Sequence, residues 1–291
     1  MCGQTGIFLS PKRRNASQRE DLMRAFAAAV LTQEPRGPHA TGVAGLQADG
    51  RHQIAKEATN ASLFFHNGGA TSVLSKITGR TAALLGHARW ATRGKPEDPR
   101  NNHPFRCGPI IATHNGTIYN ADRLFRLYRL RRYADVDSEI LGRVVERSWT
   151  GERPDAGLLT TLLAPMSGQL SAAFVSKESP GHLLLLHGNK PLVAAYNRRL
   201  GAFLYASTSC SIDAASDATG GGWEPFALPS MTGYVFSRDA LENPEAFPIT
   251  FIRKAPKAKP AKAAASARKR RFAQAGLDLF ADGIDEFALT S

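Results

Sequence analysis

Cys2 stands directly after the initiator methionine and before Gly3. Methionine ahead of a small side chain is normally trimmed, and trimming would leave one residue carrying both a thiol and a free α-amine. The reference pKa values are about 7.7–8.0 for the amine and about 8.5 for the thiol, so both titrate close to neutrality. Such an amine can take the thiol proton, directly or through a water, and later return it to a leaving group. Further along the chain lie GHARWATRG (86–94), NNHP (101–104), IIATHNGTIYN (110–120) and DVDSEI (135–140). Within them, Arg89 offers a bidentate fork for a carboxylate, and Asp137 offers a charge for an ammonium. Asn115 and Gly116 offer a side-chain amide and a backbone N–H, a pair able to hold an oxyanion. Each also has a plainer reading. Asn-Gly is a common hairpin turn, Asp137 stands where a helix cap is expected, and His103 is readable as a structural histidine.

Taken together, Cys2-Gly3, RGPHATG (36–42), the blocks above and the later GNKPLV (188–193) and YASTS (205–209) resemble the class II glutamine amidotransferases. The similarity is to the glutaminase halves of glucosamine-6-phosphate synthase and amidophosphoribosyltransferase, and it runs over residues 2–237. The resemblance implies an N-terminal-nucleophile (Ntn) hydrolase fold, a four-layer αββα sandwich of two mainly antiparallel sheets. It also implies catalytic roles for Cys2, Asn115 and Gly116. Arg89, Trp90, Thr92, His103 and Asp137 would line the glutamine pocket. The expected reaction converts L-glutamine to glutamate and ammonia through a γ-glutamyl thioester on Cys2, with no metal and no cofactor. Arg93 stands where the synthases usually carry His, and Gln4-Thr5 replace small or aliphatic residues after the nucleophile. These departures bear on the acceptor class and on the geometry of the pocket loop.

The elements that must hold these residues follow from the apolar spacing. Strands are expected at 6–9, 82–86, 109–113, 170–175, 182–187, 192–196 and 203–207, and helices at 19–31, 121–130, 138–149 and 155–163. Strands grouped late and helices grouped in the middle argue for an α+β class. Cys107 and Cys210 have no part in the chemistry and are expected to be buried thiols.

The 291 residues carry a formal charge of +12, but the charge is unevenly placed. Residues 253–271 hold nine Lys or Arg and no acid, and residues 272–291 hold four acids and no base. The first stretch is expected to be a disordered linker and the second a short amphipathic acidic segment, following a domain at 2–252. The linker suits non-specific contact with nucleic acid or an acidic protein, and equally a solvated tether. Arg123, Arg126, Arg129 and Arg132 form a basic stripe whose default reading is a solvated face. The N-terminal stretch does not read as a secretory signal, and the Leu183–Leu186 run is far short of the roughly 18 apolar residues of a membrane span. A cytoplasmic protein without membrane contact is expected. Some 50 residues follow the core, too few for a second catalytic domain, and no phosphate-loop motif is present. The expectation is a stand-alone glutaminase subunit that passes ammonia to a separate synthetase or transferase. Its alternatives are a γ-glutamyl amide hydrolase needing no partner, and a relic fold that binds partners through its basic tail.

Overall fold

The computed structural model describes residues 2–253. The expectations for 254–271 and for 272–291 lie outside the described residues. In chain order the main strands begin with β1 (Gly3–Leu9), β2 (Ala40–Gln47), β3 (His52–Glu57), β4 (Thr81–Arg89), β5 (Phe105–Cys107) and β6 (Ile110–His114). They continue with β7 (Ser171–Ser176), β8 (His182–His187), β9 (Val193–Asn197), β10 (Ala202–Ala206), β11 (Glu224–Phe226), β12 (Thr232–Ser237) and β13 (Ala240–Pro248). One sheet has the order β11-β9-β10-β1-β4-β2-β3 and the other β13-β12-β8-β7-β6-β5. Neighbouring strands are antiparallel throughout both sheets.

Strand periodicity explains how the layers form. Successive side chains point to opposite faces, so a strand apolar at every position must be covered on both sides. In β8, Leu183 and Leu185 enter the core between the sheets, where they join Phe8, Leu46, Leu85, Phe203 and Phe236. Leu184 and Leu186 point the other way, onto a helical layer. That layer is α4 (Ala121–Leu127), α5 (Glu139–Ser148) and α6 (Ala156–Leu163), packed through residues such as Leu124, Ile140, Val144 and Leu163. On the first sheet, Phe8 faces inward while Ile7 and Leu9 meet Leu22, Phe26 and Val30 of α1 (Ala16–Leu31). The short helices α2 (Ala61–His66) and α3 (Thr71–Leu74) and the later α7 (Ser209–Thr219) complete that face. The result is the four-layer αββα sandwich. Among the described residues no helix is long and apolar enough to cross a membrane.

The expected helices are present with shifted ends. The first starts at Ala16 because Asn15 accepts from the Gln18 N–H while Gln18 reaches back, a reciprocal cap. Helices α2, α3 and α7 and strands β2, β3, β5, β11, β12 and β13 have no counterpart among the expected elements. Cys210 lies in α7 and is exposed, which corrects the expectation of a buried thiol; Cys107 is buried as expected.

Candidate active site

Cys2 sits at the head of β1, near the middle of the seven-stranded sheet. Pairing of Gly3 with Ala88 in β4 brings the residue that follows β4, Trp90, alongside the thiol. The Trp90 N–H donates to Cys2 Sγ at 3.3 Å, and the thiol donates to the Trp90 carbonyl at 3.5 Å. Burial pushes the Cys2 thiol up, opposed by the Trp90 contact and by the charge of Arg89. The half-buried sulfur opens onto a cleft of about 220 Å³ lined by Trp90, Thr92, Asn115, Gly116, Thr117, Gln169 and Lys190.

Asn115 and Gly116 arrive from the other sheet, directly after β6. They do not form a hairpin turn. Residues Thr117–Ile118 continue as a short strand paired with Gly168–Gln169, and Asn115 and Ser171 exchange backbone hydrogen bonds at 2.8 and 3.1 Å. Gly116 has a φ of +151°, and a Cβ there would lie 2.0 Å from the Gln169 carbonyl oxygen. Only glycine fits. The buried Asn115 amide is aimed by a hydrogen bond from Nδ2 to Ser207 Oγ at 3.3 Å.

Asp137 is buried, and its carboxylate accepts the Ile118 backbone N–H. It does not cap α5. That helix begins after Ser138, which makes no side-chain cap and instead meets His114 Nδ1 at 2.8 Å. Arg89 is also buried. Its Nη1 donates to Asn102 Oδ1 at 2.9 Å, and its Nη2 donates to the carbonyls of Arg93 and Gly94. The guanidinium therefore anchors the 90–94 loop that carries Trp90 and Thr92. Arg93 extends the anchoring outward through its ion pair with Asp122 at 3.1 Å.

The structure brings Cys2, Trp90, Thr92, Asn115 and Gly116 to one cleft, with Arg89 and Asp137 close enough for their charges to act on the thiol. His103 is not among the lining residues. Its ring is buried and stacked on His87 at 4.3 Å, and neither of its nitrogens has a hydrogen-bond partner. Burial holds it well below the usual histidine range. His87 is likewise pushed down, to about 3, although its Nε2 meets the His114 carbonyl.

The sequence did not point to Thr117, Gln169, Lys190 or Ser207 as individual residues. Thr117 adjoins the Asn-Gly pair and was within reach. Gln169 comes to the cleft through its pairing with Thr117, which no local pattern announces, whereas Lys190 lies within the GNKPLV block without being singled out there. The unusual Gln4 has a physical reason as well. Fully buried, it donates to Ser171 Oγ at 2.6 Å and accepts from Thr113 Oγ1 at 3.0 Å, linking the two sheets beneath the cleft.

No protein-family model matches the chain. Among curated proteins it is 25% identical over 215 residues to a 7-cyano-7-deazaguanine synthase of Sulfolobus acidocaldarius, covering 74% of this chain and 44% of that protein. It is 35% identical over 131 residues to a glutamine–fructose-6-phosphate aminotransferase of Mycobacterium bovis, covering 42% of this chain and 20% of the relative. The chain thus spans less than half the length of these relatives. Among solved structures, the glutamine phosphoribosylpyrophosphate amidotransferase of B. subtilis superposes with a TM-score of 0.61 at 18% identity, over 85% of this chain and 49% of the other. In sequence the chain is thus similar to class II glutamine amidotransferase enzymes, the fructose-6-phosphate aminotransferases among them, and it shares the sandwich fold of phosphoribosylpyrophosphate amidotransferase.

Proposed function

We propose that the chain hydrolyses L-glutamine to glutamate and ammonia, with Cys2 as nucleophile. One observation carries this reading: Cys2, at the head of β1, and Asn115-Gly116, at the end of β6, line the same small cleft from opposite sheets. Removal of Met1 supplies the base. The α-amine accepts the thiol proton, and the sulfur attacks the carboxamide carbon. The oxygen takes the negative charge, held by Asn115 Nδ2 and the Gly116 N–H. The C–N bond then breaks, and the nitrogen leaves as ammonia with the proton from the α-amine. A γ-glutamyl thioester remains, and water hydrolyses it by the same path, regenerating the thiol. No metal or cofactor enters these steps.

Arg89 and Asp137 provide the opposite charges that an amino acid's carboxylate and ammonium require. Arg89 does so while anchoring the 90–94 loop, with Trp90 and Thr92 closing over the substrate. His103, outside the cleft lining, is left a supporting part, stacked on His87 of the strand that bears Arg89.

The relatives bear the names of a synthase and an aminotransferase, and this chain matches only part of each. The names support use of the released ammonia by a synthetase or transferase activity, which this reading places on a separate subunit. The thiols of Cys2, Cys107 and Cys210 are unpaired among the described residues, in keeping with a reducing cytoplasm. The test is a steady-state comparison of glutamine with γ-glutamyl amides for the wild type and Cys2→Ala. The reading requires that glutamine give stoichiometric glutamate and ammonia, and that Cys2→Ala abolish both. Preference for substituted amides over glutamine would assign the chain to γ-glutamyl amide hydrolysis instead.

A further inference from the structure

A second cavity, of about 270 Å³, lies away from the cleft and is lined by Lys56, Arg100, Phe105, Arg106, Tyr133, Ala134, Val136 and Glu139. It opens where β3, the edge strand of one sheet, approaches β5, the edge strand of the other. Three lining side chains are cations and one is an acid. The acid is already satisfied: Glu139 accepts the Ala134 N–H at 2.8 Å and the Tyr133 N–H at 3.0 Å, and it pairs with Arg143 at 3.3 Å. Asp98, whose charge reaches Lys56, is held by Arg100 at 2.7 Å.

Lys56 and Arg106 remain without an acidic partner within ion-pair distance among the described residues. Lys56 Nζ donates only to the Asn102 carbonyl, at 3.0 Å, and Arg106 Nη1 lies 3.5 Å from His52 Nε2. Burial of the ammonium pulls Lys56 down to about 8, offset only in part by the charge of Asp98. An anionic occupant would remove that penalty. The Phe105 and Tyr133 side chains supply an apolar shelf beside the cations. The cavity is smaller than typical drug-sized pockets, which sets its occupant at the size of a small metabolite.

We propose that this cavity binds a phosphoryl anion between Lys56 and Arg106, either as free phosphate or as a small phosphate monoester resting on Phe105 and Tyr133. A phosphoryl group suits the pair because the guanidinium fork and the ammonium together offer donors to three oxygens. The proposal stands independently of the glutaminase reading. The cavity and the cleft share one structural residue, since Asn102 accepts Lys56 on its carbonyl and Arg89 on its side chain.

The test is thermal unfolding of the full chain with inorganic phosphate, glycerol 3-phosphate or glycerol, for wild type, Lys56→Met and Arg106→Gln. Saturating ligand should raise the wild-type Tm by about 5 °C or more. Glycerol should do nothing. Each variant should lose most of the shift; Arg106, exposed on β5, is replaceable without disturbing the core, so its variant reports even if Lys56→Met folds poorly. Equal shifts with the two phosphates would assign the site to free phosphate, and a larger shift with the ester to a monoester. No shift in the wild type, or the same shift in Arg106→Gln, would overturn the proposal; the second result would place the anion elsewhere, the basic 253–271 run included.

Discussion

Asn115 Nδ2 donates to Ser207 Oγ at 3.3 Å, and the same hydroxyl oxygen accepts the Gln4 backbone N–H at 3.0 Å. Ser207 thus ties the strand carrying the nucleophile to the side chain proposed to hold the oxyanion. Because it touches neither sulfur nor substrate in this account, it is a positioning residue. Ser207→Ala should lower kcat about tenfold, less than outright loss of an oxyanion donor, and leave KM for glutamine nearly unchanged. Steady-state kinetics check this. An unaltered kcat would remove Ser207 from the account.

Replacing Gly116 tests the other oxyanion donor through the backbone. A Cβ would be driven against the Gln169 carbonyl, at a φ that side chains rarely adopt. Gly116→Ala should cost about 1–3 kcal/mol of stability through strain alone, and it should reduce glutamine turnover more than Ser207→Ala does. Chemical denaturation and kinetics on the same preparation check both effects. Wild-type stability in this variant would show that the local backbone is not held as described.

Acid should destabilise the fold through its buried imidazoles. His87 is held to about 3 and His103 well below its ordinary value by burial. The unfolded chain takes up these protons near pH 6.5, so below that point it binds more protons than the native state. Stability therefore falls as pH drops from about 6.5 toward about 3, at up to about 1.4 kcal/mol per pH unit for each histidine. Unfolding free energies at pH 7 and pH 5 check the slope, and His103→Phe should flatten it. A stability that rises on acidification would contradict the burial.

Thiol reactivity should separate the three cysteines. Cys210 is exposed, Cys2 is half-buried and Cys107 is buried, its thiol pushed up to about 12. A maleimide should label Cys210 first without loss of glutamine hydrolysis, then Cys2 with full loss. Cys107 should react only after denaturation. Peptide mapping with parallel assays checks the order; inactivation that tracks Cys210 would contradict it.

How much of this was legible in the sequence depended on how local each signal was. The leucines of β8 announced a strand covered on both faces, and the neighbouring strands followed. Strand β2 was hidden because it is rich in small residues. Gly42, for example, faces the His103 backbone so closely that a Cβ would lie 2.2 Å from its carbonyl oxygen. Helix α7 has no broad apolar stripe, only Ser211 and Ala215 being fully buried, so no apolar spacing announced it. In the site, Cys2, Asn115 and Gly116 were carried by short motifs. Their remote neighbours are a different matter: Ser207 lies within the YASTS block, but its contact with Asn115, like that of Gln169 with Gly116, becomes visible only once the sheets pair. Arg89 stood out in the sequence as a fork for a carboxylate, but its contacts with the 90–94 loop required the folded backbone.

The central claim is that a free N-terminal Cys2 forms the acyl intermediate. The most direct measurement is mass analysis of the N-terminal peptide from protein quenched with acid during glutamine turnover. The account predicts a peptide that begins at Cys2, without Met1, and carries a glutamyl group in thioester linkage that disappears on treatment with hydroxylamine. A peptide that keeps Met1 and bears no adduct, from a sample actively releasing ammonia, would contradict it.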